Sequence, residues 1–227
     1  MVEERSGENF SGWQNARVSS APKKPTRSRM TAGERREQLI EVARTLFAER
    51  GFDGASVEEI AARAEVSKPV VYEHFGGKEG VYAVVVDREV RQLLGMMRDA
   101  LTADSPRVLI EQAAFALLDY IEQSSDGFRI LVRDSPPGAA TGTYVSIIGD
   151  IATRVEGILI DQFKRRGFDP RTAPMYAQML VGMVGTTGQW WLEARKPAKE
   201  VVAANLVNLA WNGLSGLEQK PALRTRS

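Results

Sequence analysis

The stretch Glu65–Phe75, EVSKPVVYEHF, holds the single histidine of a 227-residue chain. A catalytic histidine needs a nucleophile or an acid within reach. A metal-bound one needs further His, Cys or carboxylate ligands. The spacing of this stretch points elsewhere. On a helical wheel of about 100° per residue, Val71 and Phe75 share one side, the side to bury. Pro69, Val70 and Glu73 lie opposite and aim outward. Tyr72 and His74 fall on the flanks, where a side chain reaches sideways towards a sugar–phosphate backbone. Lys68 occupies the first turn after Ser67, and backbone amides at a helix start direct donors at a nearby anion. Core anchors behind, base-facing residues in front and phosphate donors on both edges form the order that docking into a DNA groove requires.

The neighbouring sequence supports that reading. Leu39, Val42, Ala43, Leu46 and Phe47 repeat at helical spacing, and Gly51 closes their helix. Ser56-Val57-Glu58-Glu59 has the form of a capping box, in which Ser56 and Glu59 satisfy each other's backbone donors. Val57, Ile60, Ala61 and Ala64 then form one narrow apolar face. Gly76-Gly77 ends the Ser67–Phe75 helix, and a long helix starts near Lys78 and runs towards Leu101. Two short helices joined by a tight turn suggest a helix-turn-helix, whose second helix enters the major groove.

Downstream, every segment again reads helical. Ser105-Pro106 opens a helix to about Gln123, with proline in the first turn. A short apolar piece from Phe128 to Arg133 ends at Pro136-Pro137-Gly138. Tyr144 to Arg166, about Thr172 to Ala194, and Ala198 to Leu217 follow, the last two divided by Pro197. No alternating period-two run bounded by hairpin turns competes, so the expected fold class is all-α with roughly nine helices.

Composition narrows the function. The chain lacks cysteine, which excludes disulfides, thiolate metal sites and cysteine catalysis. With one histidine and no Gly-rich phosphate loop, no acid–base or nucleophilic constellation appears, so neither an enzyme, a cofactor nor a metal is expected. No apolar run approaches the ~18 residues of a membrane span. The N-terminus carries no apolar signal core. A cytoplasmic protein without a membrane partner is expected. Net charge is only +1, but Arg17, Lys23, Lys24, Arg27, Arg29, Arg35 and Arg36 gather between Ala16 and Glu37, opposed by Glu34 alone. Such an arm suits phosphates, or simply solubilises. Between Gly51 and Gly80, Asp53, Glu58, Glu59, Glu65, Glu73 and Glu79 outnumber Arg63, Lys68 and Lys78. Attraction to DNA must therefore come from a few well-placed cations. Glu73 can face the groove favourably only by accepting from a cytosine amino group, and Val70 offers an apolar surface for a thymine methyl.

The run from about Arg35 to Val85 resembles the DNA-binding domain of the TetR family of bacterial transcriptional regulators. The resemblance rests on Leu39-Ile40, Ala43, Leu46-Phe47 and Gly51-Phe52, on Ser56 to Ala61, and on Val66 to Phe75 with Lys78-Glu79. It implies that Tyr72, His74 and Lys78 contact backbone phosphates with Ser56, and that Lys68, Pro69 and Val70 face bases. The family often carries a small or hydroxylated residue where Val70 stands, so base preference does not carry over. The resemblance also implies an N-terminal three-helix DNA-binding domain, a helical effector-binding and dimerisation domain, a homodimer built largely by the last two long helices, and a ligand that loosens DNA binding. The expected organisation is a disordered basic arm at 1–29, the helix-turn-helix domain at 30–77, the ligand-binding and dimerisation domain at 78–217, and a flexible tail at 218–227.

Gly182, Gly185 and Gly188 make a small-residue stripe through which another helix can approach. Phe115, Leu118, Phe128, Met175, Met179, Met183 and Trp190 are the candidate pocket wall, with Arg129, Arg133 or Glu193 as polar contacts. The expected function is a repressor released from a palindromic double-stranded operator by a small lipophilic ligand. The alternative is a DNA-binding regulator or architectural protein without a small-molecule effector, tuned by a protein partner.

Overall fold

The computed structural model describes residues 30–133 and 143–222. The basic arm, the Pro136-Pro137-Gly138 stop and the last tail residues lie outside the described residues. Among those described, the chain is all-helical: α1 (Ala32–Gly54), α2 (Val57–Arg63), α3 (Lys68–Phe75), α4 (Lys78–Ala100), α5 (Pro106–Gln123), α6 (Ser125–Arg133), α7 (Thr143–Arg166), α8 (Ala173–Ala194) and α9 (Lys199–Ser215), with a 3-10 turn at Pro170–Thr172.

Helix α1 starts with a full capping box: the Thr31 hydroxyl accepts from the Glu34 amide at 3.2 Å, and the Glu34 carboxylate accepts from the Thr31 amide at 2.8 Å. The helix breaks at Gly51, whose φ is 73°. At α2 only half of the expected box forms. The Ser56 hydroxyl accepts from the Glu59 amide at 3.2 Å, while the Glu59 carboxylate turns to Arg50 at 3.1 Å and Arg63 at 3.3 Å. Charge-assisted bonds to two guanidinium groups compete well against one backbone amide.

Helices α1 to α3 surround a core of Leu39, Ala43, Leu46, Phe47, Ile60 and Val71, all closed to solvent. The floor of that core comes from α4. Tyr82 meets Phe47 edge-on at 5.0 Å and Phe52 at 4.9 Å between ring centroids, and Val81 and Val85 lie beside it. A β-carbon at Gly80 would stand 1.8 Å from the Phe75 carbonyl oxygen. Only glycine lets α3 end against the start of α4.

Leu93 and Met97, further along α4, belong to a second core with α5, α6, α8 and α9. Helix α4 therefore runs from one core into the other, and Glu89 lies between them. Although only 4% exposed, its carboxylate accepts from Arg44 Nε of α1 at 2.6 Å, from the Tyr120 hydroxyl of α5 at 2.6 Å, and from the Ser124 hydroxyl at 3.0 Å. Arg44 Nη2 also donates to Ser124 Oγ at 2.5 Å. Burial, then the charge of Glu89, push the Tyr120 phenol well above its ordinary value. A β-carbon at Gly127 would lie 1.8 Å from Glu89 Oε2, so α6 seats its glycine directly on this cluster. Arg133, at the end of α6, donates to the Ala48 carbonyl of α1 at 3.2 Å.

Candidate nucleic-acid interface

Helix α3 stands on Val71, which is fully buried, and on Phe75, which is half-buried beneath the Arg36 guanidinium at 4.3 Å. Arg36 Nη1 also donates to the His74 carbonyl at 2.9 Å. One α1 side chain thus pins the last turn of α3, and Gly76 closes it in the left-handed region at φ 76°. Lys68, Pro69, Tyr72 and Glu73 are exposed, as is Ser67, whose hydroxyl makes no capping bond. His74 is half-buried on the flank. Val70 differs from its expected outward position: it is half-buried and packs against the head core, because α3 packs more closely on α2 than on α4. Ser56 holds the start of α2, partly exposed.

Each lysine and arginine between residues 30 and 80 is engaged within the protein. Arg35 donates to Gln38 at 2.5 Å, and Arg44 belongs to the Glu89 cluster. Arg50 and Arg63 share Glu59, and Arg63 also meets Glu49 at 2.7 Å. Lys78 Nζ donates to the Phe52 and Ala55 carbonyls at 2.9 and 3.2 Å and lies 4.3 Å from the Phe52 ring centroid. An ammonium has three donors, so these two bonds leave one over. Lys68 pairs with Glu58 of α2, and its ammonium lies over the Tyr72 ring face, 5.7 Å from the centroid. The hydrogen bond between them holds Glu58 below the usual carboxylate range and Lys68 above its own.

The body contains an apolar cavity of about 130 Å³ bounded by Leu93 and Met97 of α4, Ile110 and Leu117 of α5, Ile151 and Val155 of α7, and Val184 and Gly185 of α8. Among the described residues, Gln162 is the one lining residue with a polar side chain. A buried water needs two to four polar partners, so this space suits hydrocarbon better than solvent.

The seven expected ligand residues do not line that cavity. Leu118 and Phe128 are buried in the core beside it, Met183 packs on that core from outside, and Phe115 opens onto a separate groove with Met96 and Val108. Met175, Met179 and Trp190 are exposed on the opposite face of α8. The helical period explains the difference: Val181, Val184 and Gly185 face inward, and the methionines lie about half a turn away. Trp190 and Trp191 also divide, Trp190 being 53% exposed and Trp191 buried with its indole donating to the Pro197 carbonyl at 2.9 Å. The glycine stripe splits likewise. A β-carbon at Gly188 would press on Ile121 and Leu117 of α5 at 2.9 Å, whereas at Gly182 it would meet nothing. Arg129 and Glu193 face each other at 3.5 Å on the surface near α1, away from the cavity, as Arg133 is.

Sequence reasoning missed the α7 wall, the Glu58–Lys68 pair and the Glu89 cluster. A signal existed for the last: Val85, Glu89, Leu93 and Met97 recur every four residues, and an acid within that row is an acid committed to the interior.

A helix-turn-helix head with an exposed second helix, joined by a long helix to a helical body, is the build of a DNA-binding transcriptional regulator. The chain belongs to the TetR family of such regulators. The family model for bacterial regulatory proteins of the tetR family matches residues 39–85, and that for the tetracyclin repressor-like C-terminal domain matches residues 96–225. The chain is 34% identical over 191 residues to the HTH-type transcriptional activator FasR of Mycolicibacterium smegmatis, covering 83% of this chain and 86% of that one. It is 27% identical over 180 residues to the HTH-type transcriptional repressor BepR of Brucella suis, covering 75% and 86%. A TetR-like regulator from Rhodococcus sp. RHA1 superposes with a TM-score of 0.70 at 25% identity, covering 83% of this chain and all of that one. The named relatives are regulators rather than enzymes. No helix among the described residues is long and apolar enough to cross a membrane.

Proposed function

We propose that this regulator works in the cytoplasm as a homodimer that seats two copies of α3 in successive major grooves of a roughly palindromic operator, with half-sites about 34 Å apart, and that a small lipophilic ligand releases it, making it a repressor. In this reading residues 30–77 bind DNA, and residues 78–217 bind the ligand and dimerise. Arg35, Ser56, Tyr72, His74 and the remaining Lys78 donor hold phosphates, while Ser67, Lys68, Pro69, Val70 and Glu73 meet the groove floor. Two copies would pair through the exposed apolar faces of α8 and α9, where Met175, Met179, Trp190, Val201 and Leu209 stand in solvent, Leu209 65% exposed.

The observation that carries the reading is the course of α4. Its start completes the head core with Tyr82, its later turns wall the apolar cavity with Leu93 and Met97, and Glu89 between them grips Arg44 of α1. A molecule that wedges the cavity pushes on the same rod that carries the reading head. The expected coupling is about 1–3 kcal/mol.

The test is extraction of lipophilic molecules co-purifying with the native protein, followed by their return to stripped protein on duplexes selected for tight binding. Release of DNA by the extract supports the proposal. A monomer at working concentration, or affinity indifferent to every extracted molecule, overturns it. Activation is the second reading, favoured by the name of the relative at 34% identity, a transcriptional activator. A reporter in cells lacking the chain separates the two by the sign of its change.

A further inference from the structure

Each lysine and arginine of the head between residues 30 and 80 already has a partner within the protein. Lys68 differs from the rest because it is carried by α3 itself, in the first turn. Its partner Glu58 is the second residue of α2, and both are well exposed, 48% for the lysine side chain and 63% for the glutamate. An exposed pair of this kind adds little to folding. Its effect falls on what Lys68 can do next.

We propose that Glu58 is a specificity-determining residue, which withholds Lys68 from DNA of arbitrary sequence and yields it only when α3 is seated on the operator. The proposal rests on the reading of α3 as the groove helix. Sequence-independent binding comes almost entirely from cations that displace condensed counterions from the phosphates. A lysine already neutralised by a tethered carboxylate displaces none, and the tether keeps that carboxylate at high effective concentration. On random duplex the protein is held loosely at many registers, so Glu58 wins the lysine. On the operator, base contacts fix α3, and Lys68 is presented to acceptors on a base edge or phosphate at one register. Glu58 thus weakens random binding more than specific binding and widens the gap between them. The acid surplus from Gly51 to Gly80 has the same sense: the head is built to discriminate, not to cling.

The experiment uses the full chain as wild type, Glu58→Gln, Lys68→Met and the double variant. All are titrated against a random-sequence 30-base-pair duplex and against the duplex selected by wild type, over a potassium chloride series. Glu58→Gln is expected to tighten random binding about five- to tenfold and selected binding twofold or less. The random-duplex salt slope should steepen by about one, the yield of one added phosphate contact. In the Lys68→Met background the gain from Glu58→Gln should fall below twofold. A gain equal on both duplexes, a gain that persists without Lys68, or no gain overturns the proposal. If wild type binds no duplex even at low salt, the groove-helix reading fails, and that outcome is distinct because all four proteins then behave alike.

Discussion

Two acid–base pairs, Glu58 with Lys68 and Glu89 with Arg44, use the same chemistry for opposite ends. Glu58 and Lys68 reach across solvent between two short helices. Glu89 and Arg44 join α4 to α1 in the interior, with Tyr120 and Ser124 completing the acceptor's set. Water screens the first pair and makes its separation cheap, so a competing phosphate can break it. The second was desolvated when the chain folded, and removal of one member strands the others. Position in the protein, more than the identity of the charges, decides whether a pair is a structural bond or an exchangeable one.

The contrast can be broken most forcefully at Glu89. Glu89→Ala takes the acceptor from Tyr120 and Ser124 and the countercharge from Arg44, which keeps only its bond to Ser124 Oγ, and urea unfolding is expected to show a loss of about 4 kcal/mol. A loss below about 1 kcal/mol would make the buried pair no different from an exposed one. Gly127→Ala drives a β-carbon into the same carboxylate, and about 3 kcal/mol should disappear from the same measurement.

Tyr120→Phe is milder, since Glu89 keeps two donors, and about 1.5 kcal/mol is expected. It carries a pH signature. The fold raises the phenol above its ordinary value of 10.0, so it favours the protonated form. The associated stability is complete below pH 10 and drains away as the pH climbs past it. Wild type should show that alkaline decline, and the Phe variant should lack this residue's share. Glu58→Gln sits at the small end: thermal unfolding should leave its midpoint unchanged, while DNA binding shifts as described. A clear fall in the midpoint would mean that the exposed pair supports the fold after all.

Sequence made the all-α class and the family legible because both rest on local rules: helical periodicity, glycine stops, proline in first turns, and a helix-turn-helix with fixed spacing. Even the short α3 could be oriented, since Val71 needed a core. The rest depended on where helices meet. The inward side of α8 could not be chosen between its methionine row and its valine–glycine row without knowing that α5 and α7 both lean on the second. Glu59 looked like a capping partner until Arg50 and Arg63 came within reach in space. Val70 looked outward on an isolated wheel, but its neighbours claim part of its surface. For the proposed DNA contacts the sequence offered candidate residues, while the partners that already hold each cation were not visible in it.

The course of α4 also governs how this protein can be taken apart and rebuilt. Val81, Tyr82 and Val85 supply the underside of the reading head, so a fragment severed after Gly77 would expose Phe47 and Phe52 and should aggregate. A chimera that grafts these helices onto a foreign sensor needs its seam between Val85 and Glu89. It must also bring its own counterpart for Arg44, or the transplanted head would arrive with an orphaned guanidinium.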